Sequence, residues 1–171
     1  MHTEKIKEIN GKQLYDSFMS GAHRIFENQR LLNKINVFPV ADADTGTNLA
    51  STMRSIIQSS QPHQNLKISA VSIADAALTG ARGNSGIIFA QFLYGFSNEL
   101  KAKEAITVED FAESMRSAVN YAYDAIANPV EGTILSVIKD WADHLCQVKE
   151  NWDDFKLALV EAFDKASESL K

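Results

Sequence analysis

What most constrains this chain is a hydrophobic spacing of three and four residues that recurs along nearly its whole length, interrupted only at glycine, proline and Ser/Asn-rich breaks. Such spacing puts apolar side chains on one face of an α-helix, whereas a half-buried strand would alternate every second residue. Leu14, Phe18, Ala22, Ile25 and Phe26 predict a first helix over residues 11–28, with 30–35 adding a turn. Leu49, Met53, Ile56 and Ile57 mark a second, which Thr47 or Asn48 would cap. The polar run 59–65 reads as a loop, and residues 68–78 as a short Ala-rich helix ended by Thr79 and Gly80. Residues 84–100 are apolar almost all round, through Ile87, Ile88, Phe89, Phe92, Leu93 and Phe96, which predicts a central helix. Thr107 with Asp110 resembles a capping box ahead of a stripe from Val108 to Ile126. Asn128-Pro129 breaks the chain, 133–148 reads as another helix, and Asn151 or Asp153 would open a last one with Phe155, Leu159 and Phe163 inward. The expected fold class is all-α, seven or eight helices with short connections.

Composition narrows the function classes. A length of 171 residues suits one domain, and 45% hydrophobic with 23% charged residues is ordinary for a globular protein. A net charge of −5 without a Lys/Arg cluster argues against nucleic acid as a partner. The single cysteine, Cys146, precludes an internal disulfide and is expected to fill space on a helix. With no apolar run of 18 residues and no basic-plus-apolar leader, neither a transmembrane segment nor a signal peptide is expected, and the expected location is cytoplasmic.

Chemistry concentrates in Asn36-Val-Phe-Pro-Val-Ala-Asp42-Ala-Asp44-Thr45-Gly46-Thr47-Asn48. Two residues of near-extended chain span about 6.6 Å and point their side chains the same way, so Asp42 and Asp44 can grip one hard cation, or two adjacent ones. The same letters also suit a turn and a helix N-cap with no chemistry at all. An EF-hand loop starting at Asp42 needs Gly at its sixth position and Glu at its twelfth, where this chain has Thr47 and Met53. An aspartyl-phosphatase motif needs Thr where Gly46 stands and a strand that Pro39 interrupts.

Two further junctions stand out. Gly80-Ala-Arg-Gly83-Asn84-Ser85-Gly86 precedes the central helix, where close backbone approach and helix-start amides suit a phosphate, although helix cap, turn and cap in succession also explain it. In Asn128-Pro-Val-Glu-Gly132-Thr133 the threonine would cap the following helix. If the three junctions gather at one end of a bundle, they form a pocket offering carboxylates for metal and amides for phosphate. His23, His63 and His144 have no visible partner, and they and His2 read as surface residues.

Taken together, NVFPVADADTGTN, GARGNSGIIFAQFLYGF and NPVEGTILSVIKDWA resemble the nucleotide-binding domain of the dihydroxyacetone kinase L-type superfamily, and within it the N-terminal domain of bacterial fatty acid kinase. The resemblance runs from Ile9 to the C-terminal end. It implies an antiparallel barrel of about eight helices holding ATP or ADP and magnesium, expected as two ions, at one end. Asp42 and Asp44 match the metal-binding aspartates, and Asn36 lies near a third ligand position. Thr45, Thr47 and Asn48 match the loop beside the phosphates, Gly83, Asn84 and Ser85 the phosphate-holding turn, and Gly132 and Thr133 residues nearer the nucleoside. The implied activity is phosphorylation of a fatty-acid carboxylate presented by a separate fatty-acid-binding carrier protein, with a homodimer as the implied assembly. A dihydroxyacetone kinase subunit is disfavoured, because that branch typically has His-Gly where this chain continues Thr45-Gly46-Thr47-Asn48; a non-catalytic nucleotide-sensing or regulatory module and a purely structural helical domain whose polar loops are caps stay open as alternatives.

The chain departs from the family at Ala41, usually Pro, and at Ala43, usually Gly, so Ala43 is expected to avoid positive φ. The family's domain also continues past Leu170 into a further helix and a Gly-rich, Asp-containing segment. On that comparison the chain is expected to be a single nucleotide-binding domain over 1–171 lacking its last helix and the domains after it.

Overall fold

The computed structural model describes residues 4–101, 104–148 and 153–168. They form seven helices: α1 (Gly11–Ile35), α2 (Thr45–Ser59), α3 (Leu66–Gly80), α4 (Gly83–Glu99), α5 (Val108–Asp124), α6 (Ile134–Leu145) and α7 (Phe155–Glu168). The all-α expectation holds. One feature carried no sequence signal: β1 (Glu8–Asn10) pairs antiparallel with β2 (Ala105–Thr107), Ile9 opposite Ile106. Three residues are too few to display alternation, and the partners lie almost a hundred positions apart.

Several boundaries differ from expectation. α1 is one continuous helix, because nothing at residues 28–30 breaks it, and Leu31 and Ile35 remain exposed on its last turns. α2 starts earlier, with Asp44 rather than Thr47 or Asn48 at the N-cap. α5 stops at Asp124, four positions before Asn128. At the start of α7, Asn151 lies outside the described residues, and Asp154 rather than Asp153 does the capping, accepting from Lys156 N at 3.0 Å. Cys146 is the C-cap of α6, half-buried, with its thiol 3.4 Å from Ala112 O.

Consecutive helices pack on one another, and α4 touches α2, α3, α5 and α6. Its Phe92, Leu93 and Phe96 are buried, as a helix apolar on most of its circumference requires. Phe111 is the aromatic hub, edge-on to Phe96 and Phe155 at 5.5 Å and to Trp141 at 6.3 Å. An open apolar cavity of about 470 Å³ is lined by residues including Leu14, Phe18, Phe92, Trp141 and Leu159. No described helix is long and apolar enough to cross a membrane.

Short connections between packed helices reverse the chain each time, so alternate connections fall at the same end. Residues 60–65, with the described residues 100–101, 104–107, 146–148 and 153–154, therefore share one end with β1. Contacts bear this out: Gly11 N donates to Gln64 O at 2.9 Å, Leu66 N to Glu104 O at 3.1 Å, and Phe155 N to Ile6 O at 2.8 Å. His63, expected without a partner, accepts from Asn65 N through Nδ1 at 3.0 Å. The connections 36–44, 81–82 and 125–133 occupy the opposite end, and with them the starts of α2, α4 and α6.

Candidate functional site

At that opposite end, one open cavity of about 150 Å³ is lined by Asn36, Asp42, Asp44, Thr45, Asn84, Ser85 and Thr133, together with Phe38, Pro39, Val40 and Ile134. Three segments that are distant in sequence thus meet. Of the candidate residues, Thr47, Asn48, Gly83 and Gly132 are not in the lining.

The aspartate loop is held by α1. The Asn36 side-chain oxygen accepts from Asp44 N and Thr45 N, both at 3.2 Å, and from Thr45 Oγ1 at 2.9 Å, while its Nδ2 donates to Val40 O at 3.1 Å. One turn earlier, Asn33 accepts from Thr47 N at 3.0 Å and donates to Thr47 Oγ1 at 2.9 Å. The Thr47 hydroxyl is therefore turned toward α1. Asn33 thereby satisfies the third amide of α2, a donor that an N-cap carboxylate ordinarily takes, and Asn36 satisfies the amides of Asp44 and Thr45 before it. Asp44 sits at the N-cap yet makes no side-chain capping bond, so its carboxylate is left for other work. Gly46 permits the close approach: a Cβ there would lie 2.2 Å from Gln29 O.

Ala43, between the two aspartates, has φ +54°. The expectation that alanine avoids positive φ is overturned; the loop adopts the conformation glycine would take, at a cost of about 1–2 kcal/mol for a residue bearing a Cβ. The Asn36 bonds on either side of the loop account for its holding that shape. Asp42 is exposed and Asp44 half-buried.

The α3–α4 junction supplies the second wall. Gly83 has φ +55°, and a Cβ built there would fall 2.1 Å from Asn48 Nδ2, so buried Asn48 braces the turn from behind. Arg82, the N-cap of α4, has extended backbone and makes no side-chain cap bond, leaving the first amides of the helix without that partner. Ser85 Oγ is the one buried side-chain nitrogen or oxygen without a hydrogen-bond partner among the described residues. A buried, unpaired hydroxyl costs free energy until something bonds to it, and this one lies in the cavity wall beside the aspartates.

Thr133 completes the ring. It caps α6 by accepting from Leu135 N at 3.3 Å, as expected, and donates to Val130 O at 2.7 Å. Gly132 (φ +78°) is close to Phe38 of the aspartate loop, whose ring would be 3.7 Å from a Cβ at that position. Sequence reasoning passed over Asn33, Glu131, Tyr123 and Ser136. Asparagine before the end of a helix and glutamate in a loop are commonplace, and only the fold brings them to their partners.

Chemically, the arrangement offers two carboxylates, uncapped helix-start amides and a free hydroxyl around a small space. Among the described residues no group of three His, Cys, Asp or Glu side chains converges to hold a metal. Magnesium does not require one: it is usually held by one or two carboxylates and completes its shell with phosphate oxygens and water. The donor set fits a magnesium-bound phosphate.

The chain is 38% identical over 167 residues to an uncharacterized protein of Staphylococcus epidermidis, covering 96% of this chain and 30% of that protein. It is 38% identical over 168 residues to one of Staphylococcus saprophyticus, covering 97% and 30%. A Staphylococcus aureus protein is 37% identical over 168 residues, covering 97% and 31%. The chain thus spans less than a third of the length of these relatives. Residues 39–171, which include every lining residue except Asn36 and Phe38, match the DAK2 domain, and the chain belongs to that kinase-related family.

Proposed function

We propose that this chain binds ATP with magnesium at the cavity between Asp42, Asp44, Ser85 and Thr133, and serves as the nucleotide-binding part of a phosphotransferase. The observation carrying this reading is the meeting of two carboxylates, one relieved of its capping role, with the unpartnered Ser85 hydroxyl at the uncapped start of α4. At about 150 Å³ the cavity is smaller than the roughly 300–1,000 Å³ of whole small-molecule pockets. It therefore suits the phosphate and metal end of a nucleotide, with the nucleoside lying outward.

Asp42 and Asp44 would hold magnesium, which when bound neutralises charge on the phosphoryl oxygens. The Gly83–Ser85 amides and the Ser85 hydroxyl orient the phosphates from the opposite wall, with the partial positive charge of the α4 start behind them. Thr45 and Thr133 close the sides. The acceptor in this reading is a fatty-acid carboxylate delivered by a separate fatty-acid-binding protein: a carboxylate oxygen bonds to the γ-phosphorus, the bond to the ADP oxygen breaks, and acyl phosphate and ADP leave. A carboxylate is already ionised near neutral pH, so no general base is needed in this chain.

The test is titration of the protein with ATP and ADP, with and without magnesium, followed by Asp42→Ala and Asp44→Ala. Magnesium-dependent binding lost in both variants supports the site. Folded wild-type protein that binds neither nucleotide contradicts it. Incubation of the full-length protein with labelled ATP, a fatty acid and its carrier then tests the acceptor. Label on dihydroxyacetone instead would reassign it, and binding without transfer would make the domain a nucleotide sensor.

A further inference from the structure

The third wall of the cavity is fixed by a carboxylate that does not line it. Glu131 lies in the 125–133 connection, exposed, and both its oxygens are engaged: Tyr123 on α5 donates its hydroxyl to Oε1 at 2.9 Å, and Ser136 on α6 donates to Oε2 at 2.5 Å. Ser136 Oγ in turn accepts from Gly132 N at 2.8 Å. The bonds form one chain from α5 through Glu131 and Ser136 to the backbone of the loop. Hydrogen bonds from Ser136 and then Tyr123 hold the Glu131 carboxyl below the usual carboxylate range, while burial and the Glu131 charge push Tyr123 up to about 12. The donor is thus protonated and the acceptor ionised across the neutral range, the pairing that makes a hydrogen bond strongest.

The loop needs such a hold. Residues 127–129, 131 and 132 are exposed, Gly132 sits at φ +78°, and a connection of this length has many competing conformations. The observed one puts Thr133 and Ile134 against the cavity and Gly132 beside Phe38 of the aspartate loop. We infer that Glu131, with Tyr123 and Ser136, is a positioning residue for nucleotide binding: it sets the Thr133–Ile134 wall of the cavity without touching the ligand. The inference rests on the nucleotide reading of the cavity.

The experiment measures magnesium-ADP affinity calorimetrically for the full chain and for Glu131→Ala, Glu131→Gln and Ser136→Ala, with thermal unfolding and Gly132 amide exchange recorded for each. Loss of a group that orients a binding wall typically costs about 10–100-fold, and Glu131→Ala is expected in that range, with rapid Gly132 exchange and an unchanged cooperative melt. Glu131→Gln keeps one acceptor and should fall between it and wild type. Ser136→Ala removes the links to Glu131 and to the Gly132 amide but leaves the charge, so it decides the matter if Glu131→Ala does not fold. Wild type that binds ADP while the folded variants bind equally well would overturn the positioning role alone. Wild type that binds no ADP would overturn the nucleotide reading and this role with it.

Discussion

At one end of the bundle the helix starts are closed: Asn10 caps α1 in a reciprocal box with Gln13, Asn65 caps α3 and Thr107 caps α5, each bonding an amide three residues on. At the other end α2 and α4 carry N-cap residues, Asp44 and Arg82, whose side chains make no capping bond. The closed end adds the β1–β2 pair and the Ile6–Phe155 contact, and Asp154, buried at the start of α7, accepts from Ile6 N. The open end has two loop residues and a helix-start glycine at positive φ, and the orphaned Ser85 hydroxyl. The closed end satisfies its own donors and so contributes stability; at the open end the α2 amides are met by Asn33 and Asn36 and α6 by Thr133, so the donors kept for a ligand are the first amides of α4 and the Ser85 hydroxyl.

The sharpest way to break this contrast is to damage the closed end and ask whether the open one responds. Phe155 is 2% exposed and packs on Phe111, so Phe155→Ala should cost about 3–5 kcal/mol in chemical denaturation, while folded protein keeps its nucleotide affinity. Gly11→Ala puts a Cβ 2.4 Å from His63 O and 2.5 Å from Asn65 O, and should cost about 1–3 kcal/mol in the same assay. The mirror change, Gly83→Ala, meets a side chain rather than backbone and sits at φ +55°; it should impair nucleotide binding more than stability, read by calorimetry and melting side by side.

Smaller effects sharpen the picture. Asn65→Ala removes a cap at the closed end and should lower stability by about 1 kcal/mol without altering nucleotide binding. Ala43→Gly should leave stability within about 1 kcal/mol of wild type, because relief of positive φ is partly offset by a more flexible unfolded chain, and should tighten magnesium binding if strain opposes it. For pH, Tyr123 has its folded pKa raised to about 12 from 10.0, so its contribution is present below pH 10.0 and is lost as pH rises toward 12. Ultraviolet titration should show a tyrosine ionising late, with Tyr123→Phe removing that step.

The core was largely readable from spacing: Phe92, Phe96, Phe111 and Phe155 fall where three- and four-residue steps put them, and Thr107 and Thr133 cap as their positions suggest. But Phe163, expected inward with Phe155, is 66% exposed, and the Asn10 and Asn65 caps and the β1–β2 pair were not foreseen. What spacing does not encode is contact between distant segments. Asn33 relieves Asp44 of capping and Asn36 pins the loop only because α1 lies beside α2, and Glu131 anchors a wall only because α5 and α6 flank it. The backbone at Ala43 was misjudged because residue preference is a local average, and the bonds from Asn36 override it.

The central claim, that the unmet donors of the open end await a magnesium-bound nucleotide, is tested most directly by following backbone amides in a nitrogen-edited nuclear magnetic resonance titration with ADP, with and without magnesium. Magnesium-dependent shifts at Gly83, Asn84 and Ser85 and through residues 42–48, with Gly11, Ile68 and Asp110 at the capped end unmoved, are the expected result. Shifts confined to the capped end, or none anywhere at saturating ADP and magnesium, would contradict it.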